Sequence, residues 1–144
     1  MVNLNESIKQ LPKTDLHCHL DGSLRIESIL DVAEKEGIKL PADNKEGLEK
    51  RLIMTKEKCK SLDDYLEAFQ ITLKVLQSES SLSRVAYELL EDCAKDNVWY
   101  VEVRFSPILH QRKGLKLVQI MDAVIDGLTR GEKNFGVKSC SVIN

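Results

Sequence analysis

Residues 14–22 read Thr14-Asp15-Leu16-His17-Cys18-His19-Leu20-Asp21-Gly22, and they hold two of the three histidines in the chain. As a β-strand, the stretch alternates its side chains between two faces. His17 and His19 then point the same way, with Asp15 and Asp21 beside them. Leu16, Cys18 and Leu20 take the other face, which is apolar. A face reading Asp-His-His-Asp is a poor packing surface and a reasonable metal-binding one, because two neutral imidazoles two strand residues apart can reach one divalent ion at ~2.0–2.1 Å. A bare His-x-His is commonly no more than a pair of surface histidines. Here three features accompany it: a plausible strand, aspartates on the same face, and a Gly22-Ser23 turn that opens a helix. A βα unit delivers ligands from the C-terminal end of a strand in this way.

Outward from this strand, residues 4–12 hint at a helix closed by Pro12. After the strand, Ser23 is a candidate N-cap. Ile26, Ile29, Leu30 and Ala33 recur at helical spacing until Gly37. Asn44 to about Met54 reads as a short charged helix with Leu48, Leu52 and Ile53 inward, and Lys56 to Lys60 as a solvated basic loop. Ser61, with Asp64 three residues on, predicts the cap of a stronger helix whose stripe is Leu62, Tyr65, Leu66, Phe69, Leu73 and Leu76. Such a stripe is ordinarily core. Ser80 to Asp96 is amphipathic, with Leu82, Val85, Ala86, Leu89, Leu90 and Cys93 inward. Val98 to Phe105 is the clearest strand, β-branched and aromatic, ended by Ser106-Pro107. Trp99, Val101, Val103 and Phe105 share one of its faces. Val98, Tyr100, Glu102 and Arg104 share the other, where Glu102 and Arg104 need each other or outside partners. His110, beside Gln111, Arg112 and Lys113, reads as a surface histidine. Leu115 to about Lys133 is a long helix, and Val137 to Ile143 begins a third strand. Strands separated by helices imply parallel pairing, hence an α/β fold. The order fits the opening three strands of a (β/α)8 TIM-type barrel, a fold of typically ~250 residues.

Composition narrows the function classes. A length of 144 residues suits one domain, and 42% apolar residues can fill a core. Charge is nearly balanced, 21 basic against 23 acidic residues, net −2, so neither nucleic acid nor a membrane surface is an expected partner. Met1 to Gln10 has no apolar secretory region, and no stretch nears the ~20 apolar residues of a membrane span. A cytoplasmic location is expected from those missing signals. Cys18, Cys59, Cys93 and Cys140 form no Cys-x-x-Cys pair and read as reduced packing residues.

Thr14 to Ser23 resembles the first barrel strand of adenosine deaminases, within the amidohydrolase-type zinc barrels. Tyr100-Val-Glu-Val-Arg-Phe-Ser-Pro107 resembles that family's second strand, and Phe135-Gly-Val-Lys138 the approach to its third. The resemblance runs along nearly the whole chain but covers only the N-terminal part of the family's length. It implies zinc as cofactor, with His17 and His19 as two of its ligands. It also implies a nucleoside substrate, adenosine or deoxyadenosine, deaminated hydrolytically to inosine or deoxyinosine plus ammonia in purine salvage. Asp21 matches the position that holds a ribose hydroxyl, and His19 lies against substrate. Leu62, Tyr65, Leu66 and Phe69 match a helical flap lining the nucleoside pocket, where an aromatic ring can stack on the flat purine. The family's remaining zinc ligands and catalytic groups match no residue here. Residues 1–144 are therefore expected to be one incomplete domain with no catalytic residue of its own. Its three-strand sheet would have open edges, and the chain would be inactive alone. The scattered cysteines argue against the other zinc deaminase design, which needs Pro-Cys-x-x-Cys. Other readings stay open at this point: an amidohydrolase acting on AMP, adenine or another amide, or a truncated binding module or degraded gene product. Oligomeric state is undetermined by sequence.

Overall fold

The computed structural model describes residues 4–53, 55 and 60–143, apart from the side chains of Glu6, Asp64 and Tyr65. The end of the Asn44–Met54 helix, most of the basic loop, Cys59 and the Tyr65 side chain therefore lie outside the described residues. Three strands, β1 (Lys13–His19), β2 (Val98–Phe105) and β3 (Lys138–Ile143), form one sheet in that order, with both pairings parallel. Helix α1 (Leu4–Gln10) precedes β1. Four helices separate β1 from β2: α2 (Ile26–Glu36), α3 (Lys45–Leu52), α4 (Leu62–Val75) and α5 (Glu79–Lys95). A single helix, α6 (Leu117–Phe135), separates β2 from β3. The α/β reading and the order of elements hold as the sequence implied. Among the described residues, no helix is long and apolar enough to cross a membrane.

The core lies between the sheet and α5 and α6. Val101, Val103 and Phe105 are buried there with Leu82, Val85, Ala86, Leu89 and Leu90 of α5 and with Ile120, Val124 and Leu128 of α6. The opposite face of β2 carries half-buried Tyr100, Glu102 and Arg104. Arg104 Nη2 donates to Glu102 Oε2 at 3.5 Å, so the two charges partner each other as expected. Trp99 departs from the expected alternation. It is 62% exposed, while Val98 is buried in its place. The register supplies the reason: Lys13 pairs with Val98 and Thr14 with Tyr100, which leaves Trp99 as an extra, unpaired residue in β2.

Helix ends follow local chemistry. Gly37 ends α2 in the left-handed region (φ 63°), which costs glycine nothing. Ser78 caps α5 in a reciprocal box with Ser81. Ser23 does not cap α2. Its hydroxyl donates to the His19 carbonyl at 2.6 Å, and the helix starts later, after Arg25. The Arg25 guanidinium instead reaches across to Glu91 and Asp92, Nε lying 2.8 Å from Asp92 Oδ2, and ties the start of α2 to the end of α5.

Candidate functional site

The C-terminal end of β1 gathers the polar groups. The rings of His17 and His19 stand side by side, with centroids 5.2 Å apart and planes tilted by 43°. The predicted four-residue polar strand face needs correction. The β1–β2 register slips between Asp15 and Cys18, which interrupts the alternation. Asp15 turns back on its own strand, where Oδ1 accepts from the His17 backbone N–H at 3.0 Å. Asp21 lies beyond the strand, in a 3-10 turn at Leu20–Gly22. From that turn its carboxylate approaches His19, with Oδ1 3.6 Å from Nδ1, a separation too long for a hydrogen bond.

Asp21 is the most informative residue of the group. It is only 6% exposed, and its Oδ1 has no hydrogen-bond partner among the described residues. A buried carboxylate oxygen without a donor is costly, so this one calls for a donor from outside the described residues. Asp21 and Gly22 open onto a cleft of about 230 Å3 whose other walls include Leu24, Ile26, Ile29, Leu52, Ile53, Ala68, Phe69 and Thr72. Phe69 meets His19 edge-on at 6.2 Å between centroids. A Cβ at Gly22 would lie 3.4 Å from the Phe69 ring, so the absent side chain lets the ring sit close.

Helix α4 divides the stripe that the sequence reads as one. Leu73 and Leu76 are buried core. Leu62 is 70% exposed, Leu66 is also exposed, and Phe69 sits between, half-buried over the cleft. Phe69 thus joins His19 and Asp21, while Leu62 and Leu66 do not line this cleft. Ile26, Ile29, Leu52, Ile53 and Thr72 line it without having been singled out as site residues. Ile26, Ile29, Leu52 and Ile53 carry only the mark of apolar spacing, which core residues share, and Thr72 carries no mark in the sequence.

His110 is also corrected. It is completely buried, against Phe105, with Nδ1 2.9 Å from the Leu76 carbonyl oxygen. Burial holds its imidazole below the ordinary range. The Leu76 carbonyl and the charge of Asp21 pull upward against that, and Arg112 pushes down. A lowered native value means that the unfolded chain binds more protons than the native one as pH drops through about 6.5. Stability should therefore decline from pH 7 toward 5, and His110→Asn should flatten that part of the curve. Urea titrations across this range check it; equal slopes for both proteins would refute it.

The cysteines behave as packing residues. Cys18 and Cys93 are partly buried free thiols, and Cys93 is pushed up to about 12 chiefly by burial. Among the described residues, no three His, Cys, Asp or Glu side chains converge as a metal site. The side-by-side rings of His17 and His19 offer two imidazoles, fewer than the three protein ligands of a catalytic zinc site.

The sequence profile of the adenosine deaminase family matches residues 12–144. The chain belongs to the adenosine deaminase family. An adenosine deaminase from Clostridium botulinum (strain Langeland) is 49% identical over 132 residues, which are 92% of this chain and 39% of that protein. Among solved structures, the adenine deaminase of Arthrobacter aurescens superposes with a TM-score of 0.81 at 28% identity, over 92% of this chain and 39% of its own. The Arabidopsis N6-mAMP deaminase gives 0.75 at 28%, over 96% and 42%. The chain thus spans about two fifths of the length of each of these proteins. Its parallel strands and helices are the N-terminal part of their TIM-type barrel.

Proposed function

We propose that this chain carries two zinc-binding histidines and one wall of the nucleoside pocket of a deaminase that converts adenosine or deoxyadenosine to inosine or deoxyinosine and ammonia. The observation that carries the reading is the juxtaposition of the paired His17 and His19 with a buried Asp21 oxygen, unpartnered among the described residues, in a cleft also lined by Phe69. Zinc, when bound, supplies an acidified water at neutral pH. In this reading His17 and His19 hold the ion, Asp21 accepts a hydrogen bond from a ribose hydroxyl, and Phe69 lies against the purine. Leu62 and Leu66, exposed on α4, supply apolar surface to cover the base, and Tyr65 belongs to the same set. Two histidines leave a catalytic zinc site short of the three protein ligands it needs. Residues 1–144 alone are expected to give no turnover.

Cleft chemistry favours a nucleoside over a nucleotide. Among the described residues, the cleft lining includes a carboxylate and no lysine or arginine, whereas a phosphate calls for cations. The test is a chimera in which residues 12–144 replace the matching part of the Clostridium botulinum relative, assayed with adenosine, AMP and adenine. Adenosine should be the preferred substrate. Preference for AMP or adenine, or a zinc-replete chimera that folds but is inert, would overturn the proposal. In the same chimera, Asp21→Ala should lower kcat/KM for adenosine roughly 10- to 100-fold, the loss expected for one hydrogen bond to a charged group. A purine substrate lacking the sugar should be affected far less.

A further inference from the structure

The α4 helix that carries Phe69 and Thr72 is tied down at its C-terminal end by the loop after β2. The His110 Nδ1 lies 2.9 Å from the Leu76 carbonyl oxygen. A carbonyl only accepts, so Nδ1 carries the proton and donates. Gln77, also buried, makes three bonds with one amide. Nε2 donates to the Leu73 carbonyl at 2.7 Å and to the Leu109 carbonyl at 3.0 Å, while Oε1 accepts from the Arg112 N–H at 2.9 Å. Carbonyls near a helix C-terminus lack intrahelical donors, and these two side chains supply them from, or link them to, a segment more than 30 positions away in sequence. Among the described residues, the second nitrogen of His110, Nε2, is buried without a partner, as is Asp21 Oδ1.

We propose that His110 and Gln77 are positioning residues for the cleft: they clamp the end of α4 onto the Pro107–His110 turn, so that Phe69 and Thr72 are held against Asp21 and Gly22. The consequence for nucleoside binding rests on the deaminase reading; the clamp itself does not.

Hydrogen exchange in the 144-residue chain tests the clamp. His110→Ala should speed exchange of the amides from Phe69 to Leu76 by about tenfold, the effect of one lost buried hydrogen bond, while amides of α6 stay within about twofold of the original. His110→Asn keeps a donor near the Nδ1 position and should restore protection. Gln77→Ala should reproduce the His110→Ala pattern, and it is the variant to read should His110→Ala fail to fold. Unchanged protection in α4 would overturn the proposal. So would equal acceleration in α4 and α6, or no rescue by asparagine. In the chimera, His110→Ala should raise KM for adenosine with kcat nearly unchanged, because a displaced wall weakens binding without touching the reacting atoms. A fall in kcat with KM constant would also overturn it. A chimera without any activity would bear on the deaminase reading, and hydrogen exchange would still decide the clamp.

Discussion

Replacing Gly127 with alanine is expected to lower the unfolding free energy by about 3 kcal/mol or more, at the upper end of overpacking costs. A Cβ at this position would stand 2.2 Å from the Ser83 carbonyl oxygen and 2.8 Å from the Ala86 Cβ, both on α5. The first of these is backbone inside a helix, and it cannot swing aside as a side chain does. Helices α5 and α6 would have to separate, which would pull apart the contacts that flank the crossing. There Ser83 Oγ donates to Asp126 Oδ2 at 2.6 Å, and the Arg130 guanidinium lies 5.1 Å from the centre of the Tyr87 ring. Gly131, one turn on, is the internal control. Its added Cβ would stand 2.9 Å from both the Cβ and the Cδ1 of Leu90; the Cδ1 can swing to another rotamer, whereas the Cβ can yield only through a small shift of the helix. Gly131→Ala, with no backbone atom among its nearest contacts, should therefore cost less than Gly127→Ala, about 2 kcal/mol. Urea denaturation of the three proteins gives the comparison. If Gly127→Ala is no worse than Gly131→Ala, the helix crossing is not as close as described.

The largest functional loss is expected from the histidine pair. In the active chimera, His17→Ala or His19→Ala should cut adenosine turnover more than about 100-fold. Changing groups that only orient a metal ligand already costs 10- to 100-fold, and removal of the ligand itself should exceed that. The two losses should not add, since the ion is lost with either ligand. Zinc content measured on the purified variants should fall in step with activity. Full zinc occupancy with activity lost would mean that the histidines act on substrate and not through the metal. Unaltered activity would remove them from the site. In the 144-residue chain, zinc should bind weakly and the double variant should abolish that binding.

Much of this was legible before any coordinates. His17 and His19 come out as neighbours because a strand returns every second side chain to the same face, a property of the backbone alone. The strand at residues 98–105 and the helix ending at Gly37 were legible for the same local reason. Gly127 and Gly131 were written in the sequence as a Gly-x-x-x-Gly spacing, but nothing local says whether that spacing faces another helix or solvent.

Other features were decided by the fold. The alternation rule pointed Asp21 along the strand face, yet the chain leaves the strand after His19, and a 3-10 turn buries the carboxylate beside the cleft. Among basic neighbours His110 read as a surface residue. It is buried because the loop after β2 folds back onto the end of α4, a contact between segments 34 positions apart. The stripe of α4 was a single pattern in sequence; the fold buries Leu73 and Leu76 and leaves Leu62 and Leu66 exposed. By itself, then, the sequence determined the elements, their parallel order and the paired histidines, because these depend on residues within one or two turns of each other. Only the tertiary structure decided which polar atoms are left without partners, because that depends on which distant segments close over them.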